Sequence, residues 1–265
     1  MNPAGPPPLP LCRSIALLLA VLTLHPLANG AAYTWDSNLV TPGAQDGGGT
    51  WDAVTSNWLN VTTNVPWGNG NDAIFGAGTD GSYAVTVAID PSPSSLIFNK
   101  SGYALSAATP HTITFTNAVS GLVIAAGKTA TVGNNVTFST PAANQTTSMT
   151  GGGTLIIENG GTLKNAGTAN SNRLDINSTT VEVRTGGSLL TAPVPLSQNG
   201  NAIFVNGTLN VLGGTVNAVG TIGIGQSSAA GTSAGTLTLS SGTVLAISTN
   251  GIRLAPSRAR LPAAR

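Results

Sequence analysis

The sequence predicts an all-β fold: a right-handed parallel β-helix, a solenoid of stacked coils, with a Trp-rich N-terminal cap. Three observations predict it. From about residue 102 to 250 apolar residues alternate with polar ones or run in groups of three to five, and Gly or Asn follows each group. Period 2 between turn residues is the signature of strands with one buried face. Second, Gly-Thr-Leu or Gly-Thr-Val recurs at Gly153, Gly161, Gly207, Gly214, Gly235 and Gly242, with Gly187-Ser188-Leu189 as a variant. Third, all four Trp lie in the first part of the chain, at Trp35, Trp51, Trp58 and Trp67.

The elements follow in chain order. Residues 1–30 read as a signal peptide. Arg13 supplies the positive flank, and Ser14–Leu24 is an apolar run too short for the ~20 residues of a membrane-spanning helix. His25-Pro26 ends that run. Ala28-Asn29-Gly30 places small residues for cleavage before Ala31, with cleavage after Ala32 as the alternative. Cys12 and His25 would leave with this peptide, so His111 is the one His expected in the mature chain.

Residues 31–100 read as an N-terminal cap with the first strands. Six of the nine carboxylates fall here: Asp36, Asp46, Asp52, Asp72, Asp80 and Asp90. Tyr83–Val87 and Leu96–Phe98 read as strands, separated by Pro91 and Pro93.

Residues 101–250 read as the repeat region. Strands are expected at 112–115, 130–132, 136–138, 181–183 and 237–239. The best copies, Gly207–Val216 and Gly235–Val244, share their Gly-Thr-Leu and Gly-Thr-Val units at the same offset. Their constant offset of about 28 residues falls within the range of solenoid repeats. The two Gly-Thr units within each copy lie one short strand plus a turn apart. Such a strand buries its apolar face only by stacking on the next copy. At roughly 20–28 residues per coil the region holds about six coils. Gly is expected to supply left-handed corners, and Asn to tolerate them. A β-sandwich of the same strand content is the competing architecture, but its strands lack a repeating frame. An open solenoid end exposes a column of apolar side chains. The large Trp rings are therefore expected to cover it.

Residues 251–265 leave the repeat for an atypical basic tail with Arg253, Arg258, Arg260 and Arg265. It reads as a truncated or frameshifted end of a longer gene. The other reading is a basic tail for an anionic surface.

Composition excludes several functions. Charged residues make up 7% of the chain and net charge is +1. No basic face exists for neutralising phosphates, so no nucleic-acid partner is expected. One Cys and two His argue against zinc, haem and iron–sulfur chemistry, and no cofactor is expected. Asp46, Asp52, Asp72 and Asp80 sit among Gly and Asn, but neither the EF-hand nor the calcium β-roll spacing occurs. They read as solvated turn residues.

A catalytic pair for polysaccharide cleavage would have to come from Glu158, Asp175 and Glu182, the coil region's carboxylates. Arg173-x-Asp175 and Glu182-x-Arg184 read instead as structural charge pairs, worth roughly 0.2–1 kcal/mol each. His111, in Thr109-Pro110-His111-Thr112, has no Gly-x-Ser-x-Gly elbow to serve and reads as a solvated strand-entry residue. Trp35, Trp51, Trp58 and Trp67 are the candidate ligand-binding residues, as a stacking platform for carbohydrate. Their other reading is the buried cap.

Several motifs carry a resemblance. Thr34-Trp35-Asp36, Gly49-Thr50-Trp51-Asp52, Ser56-Asn57-Trp58, Pro66-Trp67-Gly68-Asn69, Asp72-Ala73-Ile74-Phe75-Gly76, Leu96-Ile97-Phe98 and Gly102-Tyr103-Ala104-Leu105 occur in that order. The later Ile222-Gly223-Ile224-Gly225 and Ser241-Gly242-Thr243-Val244 look like repeat units. Together they resemble bacterial passenger proteins with autotransporter-associated β-strand repeats, which also occur in PEP-CTERM exoproteins. The resemblance covers about residues 33–250. It implies a non-enzymatic, exported, surface or adhesin-type β-helical passenger, and it carries over no catalytic residue. Surface glycans or other copies of the chain are the expected partners. The family also implies a C-terminal barrel or sorting segment. The sequence has neither, so an outer-membrane connection is expected only through a missing C-terminal segment.

Overall fold

In the computed structural model, residues 30–117, 121–141, 146–167, 173–192, 201–225, 234–247 and 251–254 are described. Among these there is no helix, and none therefore long and apolar enough to cross a membrane. The leader and most of the basic tail lie outside the described residues. The strands form a parallel β-solenoid with three sides.

Side A is built from β1 (Ala32–Trp35), β5 (Asp72–Phe75), β7 (Leu96–Phe98), β10 (Leu122–Ile124) and β13 (Thr146–Thr150). It continues through the starts of β16 (Arg173–Arg184) and β18 (Asn201–Ala218), then β19 (Thr221–Ile224) and β21 (Ile252–Leu254). Side B begins with β2 (Gly49–Trp51), β6 (Tyr83–Val87), β8 (Tyr103–Ser106), β11 (Thr129–Val132) and β14 (Thr154–Ile157). The middle stretches of β16 and β18 and the first half of β20 (Thr236–Ala246) complete it. Side C holds β9 (His111–Thr114), β12 (Val136–Ser139), β15 (Thr162–Asn165) and β17 (Ser188–Thr191), then the ends of β18 and β20.

The register is the sequence repeat. Leu209 pairs with Leu237 and Val216 with Val244, each one repeat on. Six coils supply all three sides, from Leu96 to Ala246. Alternation sends one apolar column inward from each side. Side A gives Leu96, Leu122, Met149, Ile176 and Val205, and side C gives Ile113, Phe138, Leu163, Leu189 and Val216, all buried. Each such side chain contributes roughly 1.5–3 kcal/mol when fully buried.

Four glycines of the repeat units serve a purpose other than the expected left-handed corner. Gly161, Gly187, Gly214 and Gly235 do not take left-handed φ. A Cβ there would collide with a backbone carbonyl: Val132, Ile157, Arg184 and Val205 respectively. They are close-approach sites between coils. The expected left-handed corners do occur, one residue earlier at Gly160, Gly186 and Gly213 and at Gly242 itself, and Asn135 and Asn159 take left-handed φ as well.

The repeat also runs further than expected. Ile252-Arg253-Leu254 keeps period 2, and β21 pairs with β19 in frame, so these three residues form a strand of side A.

The start of the stack is a true cap. β3 (Trp58–Asn60) and β4 (Thr63–Val65) form a hairpin whose β3 pairs antiparallel to β1. The four indoles sit under it. Trp58 lies 4.7–5.3 Å from Trp67, Trp51 and Trp35, ring centroid to centroid. Trp35 then rests on Phe75, which stacks on Phe98 of the next coil at 5.3 Å. This aromatic pile fills the mouth that the aliphatic columns would leave open.

Candidate functional site

The indoles come from β1, β2, β3 and the segment after β4, so three strands and a loop converge on one point. Trp35, Trp51 and Trp58 are wholly buried and Trp67 is 7% exposed. Trp35 Nε1 donates to the Gly47 carbonyl, and Trp67 Nε1 to Asn69 Oδ1. A stacking platform needs an open ring face. None of these four has one, so burial corrects the carbohydrate-platform expectation at Trp35, Trp51, Trp58 and Trp67.

The cap's carboxylates are fasteners more than solvated turn residues. Asp52 caps its own turn, accepting from the Val54 and Thr55 amides and the Thr55 hydroxyl. Asp46 reaches much further. It accepts three consecutive amides, Ala77, Gly78 and Thr79, at 2.7–2.8 Å, and the Tyr103 hydroxyl at 2.7 Å. Burial alone would raise its pKa, but the Tyr103 hydroxyl and the three amides outweigh it and hold the carboxyl below its ordinary value. Burial, joined by the same contact, pushes the Tyr103 phenol well up. Asp80 binds the Ser101 amide and Lys128. These loops were legible as turns, but nothing local marks Asp46 as the partner of Tyr103, which lies two strands of side B further along the chain.

The coil region's three carboxylates do not share one site: Glu158 and Glu182 meet at Arg184, and Asp175 stands apart with Arg173. Asp175 lies on side A and Glu182 on side B of the same coil, so they cannot flank one glycosidic bond. Arg173 Nε holds Asp175 at 2.8 Å, and Arg184 holds Glu182 at 2.7 Å and Glu158 at 3.6 Å. Only the Glu158 contact crosses between coils. Burial raises the Asp175 pKa, with Arg173 opposing it. Arg173 also lies over the Phe204 ring, 4.6 Å from its centroid. His111 opens β9, as expected for a strand-entry residue, and its Nδ1 lies 3.1 Å from Asp90. Among the described residues no group of three His, Cys, Asp or Glu could hold a metal ion.

One feature of the outer surface is regular, and the sequence signal for it was the Thr of Gly-Thr-Leu. On side C, Thr112, Thr137, Thr162, Ser188, Thr215 and Thr243 are in register on six successive coils. On side B, Thr129, Thr154, Thr180, Thr208 and Thr236 are in register on five successive coils. The steps are about 4.8 Å, the spacing of hydrogen-bonded strands. No charged residue interrupts either file. A groove of 420 Å³ lined by Leu39, Val40, Pro42, Leu59 and Val61 marks the outside of the cap hairpin.

Comparison with family models, curated proteins and solved structures finds no match.

Proposed function

We propose that the chain is an exported, non-enzymatic β-solenoid passenger with a surface, adhesive role. The hydroxyl files carry this reading. Two uncharged rows of Thr and Ser, repeated once per coil, offer many equal weak hydrogen-bonding groups to an extended ligand, and repetition adds avidity without any single strong site. The leader-like residues 1–30 support export. The pairing of every coil-region carboxylate with an arginine favours a scaffold over a hydrolase or lyase.

The test is retention of the protein on immobilised polysaccharides and on cells. Thr137→Lys with Thr162→Lys, which leaves the inward column intact, is expected to abolish retention while circular dichroism stays β-rich. Unchanged retention overturns the hydroxyl-file reading. Polysaccharide cleavage that disappears in Asp175→Asn or Glu182→Gln supports instead the alternative, a polysaccharide-cleaving β-helix enzyme. Retention without cleavage that ignores the Thr changes places a glycan-binding site elsewhere. Release of a fusion protein after the leader, with a new N-terminus at Ala31, tests export.

A further inference from the structure

The geometry points to Thr109 as an acyl-acceptor hydroxyl, activated by His111 and Asp90, that takes one acyl group from an activated carboxylic ester or thioester. The assignment rests on the local fold at the start of side C and stands independently of the hydroxyl files and the adhesive role. It describes a single covalent loading of the chain, not turnover.

Three side chains lie in line. His111 Nδ1 is 3.1 Å from Asp90 Oδ1, and His111 Nε2 is 3.4 Å from Thr109 Oγ1. A carboxylate only accepts, so Nδ1 carries the proton and Nε2 of the neutral ring keeps its lone pair. The Thr109 hydroxyl therefore donates to Nε2. A hydroxyl held by a base, with a third group orienting the base, is the arrangement that activates such nucleophiles, and the hydroxyl–base distance is often loose before a substrate binds. The Thr112 amide, at 2.8 Å, holds the Asp90 carboxyl below its ordinary value, outweighing burial and joined by His111. Among the described residues His111 is the one imidazole, and it sits between a hydroxyl and a carboxylate.

The neighbouring segments fix this group. Asp90 belongs to the segment between β6 and β7, and Thr109 to the turn between β8 and β9. His111 opens β9, the first strand of side C. The His111 amide donates to the Asn135 carbonyl of the next coil, and Asn135 Nδ2 donates back to the Ala107 and Ala108 carbonyls. That coil thus holds the Thr109 turn at both ends. Ala108 and Thr109 are exposed, and their amides have no hydrogen-bond partner among the described residues. They are free donors beside the hydroxyl, where the negative charge of a tetrahedral intermediate develops.

The step balances without a redox partner. Thr109 Oγ1 attacks the carbonyl carbon while its proton passes to His111 Nε2, and the carbonyl electrons move onto oxygen. When they return, the bond to the leaving alkoxide or thiolate breaks, and Nε2 gives that group the proton. The products are a Thr109 ester and an alcohol or thiol. The γ-methyl of Thr109 crowds the new ester, so loading outruns its hydrolysis.

The test uses the full chain in a Cys12→Ser background, with p-nitrophenyl acetate as the probe. A burst of about one p-nitrophenolate per chain is expected, with one acetyl group on the peptide that carries Thr109, read by mass spectrometry. Thr109→Val keeps the shape of an exposed side chain and should abolish that acetyl group. His111→Asn should slow its formation at least about a hundredfold, the lower range for a general base. Asp90→Asn, which no longer fixes the ring proton on Nδ1, should slow it too. Circular dichroism, Trp emission and retention on polysaccharides should stay unchanged in all three, so that a failed adhesive reading is told apart from a failed acceptor. Thr109→Val carries the test should His111→Asn disturb β9. Acetyl groups confined to Lys side chains or the N-terminus overturn the proposal. So does loading of Thr109 at an unchanged rate in His111→Asn, which would make it an ordinary exposed hydroxyl. Release of many equivalents per chain overturns it as well, since that would mean hydrolysis.

Discussion

The two poles of this solenoid solve one problem in opposite ways. A column of inward Leu, Val and Ile has to stop somewhere, and each stop exposes apolar area and unpaired backbone. At the N-terminal pole the column widens into Phe75, then three wholly buried indoles, under an antiparallel hairpin. Carboxylates fasten the surrounding loops. At the C-terminal pole the repeat continues through β21 with nothing over it among the described residues, and Leu239 is 54% exposed. The coils between are nearly interchangeable. Stability should therefore be unevenly distributed: anchored at the Trp pole and frayed at the other.

The largest expected effect tests that gradient directly. Trp58→Ala removes the ring that touches Trp35, Trp51 and Trp67, and should cost about 3–5 kcal/mol in urea unfolding. Leu239→Ala, a chemically similar truncation at the open pole, should cost under about 1 kcal/mol, because the side chain is already half in water. Equal losses would mean that the stack melts as one unit and that its ends do not differ.

Next come the close-approach glycines. In the middle of the stack, a Cβ at Gly187 would meet the Ile157 carbonyl, with another coil on its far side. Gly187→Ala should cost about 1–3 kcal/mol by overpacking. Gly235 makes the same collision with Val205, but among the described residues no strand stacks on the far side of β20. Gly235→Ala should cost clearly less. A reversed order would show that the last coil is held as firmly as the inner ones.

The Asp46 latch gives the poles different pH responses. Its folded pKa lies below the ordinary aspartate value of 3.8, so its contribution is present above about pH 4 and is lost as pH falls through the lower, folded value. Acid should therefore loosen the Trp pole, read as a red shift of Trp emission. The described residues of the last coil, from β19 to β21, carry no acidic group, so hydrogen exchange there should not follow that transition. Asp46→Asn should cost about 1–3 kcal/mol at neutral pH, since three amides and Tyr103 lose a charged acceptor. It should also flatten the acid transition.

Much of this architecture was legible in the sequence, and the limits have physical causes. Period 2 and the repeat frame are local or recurrent, so they survive translation into text. Leu209 over Leu237 is read directly. The hairpin β3–β4 was not, because its turn has no Asn-Gly or Asp-Gly. Val61 takes the left-handed position instead, with φ 55°, which a β-branched residue rarely does. The glycines of Gly-Thr-Leu were visible, but their reason was not. Whether a glycine serves its own φ or makes room for a neighbouring coil's carbonyl depends on a contact made a full coil away along the chain. The Trp cluster was visible as composition, yet its burial depended on how the rings pile, which composition does not contain.

The smallest effect separates two fasteners of the same loop. Asp46 and Asp80 both tie the segment that precedes β6, one to Ala77, Gly78, Thr79 and Tyr103, the other to Ser101 and Lys128. Asp80 stands in solvent, where Lys128 lowers its pKa through a hydrogen bond assisted by the Ser101 amide. Water and salt screen such a pair, and ordering the Lys128 side chain offsets much of the attraction. Lys128→Ala should leave the urea midpoint unchanged at physiological salt and shift it slightly at low salt. That result would assign the grip of the Trp pole to Asp46, the half-buried carboxylate that ties the loop to Tyr103. A large loss in Lys128→Ala, unaffected by salt, would mean instead that the outer ion pair holds the loop, and that the cap is fastened from outside rather than from within.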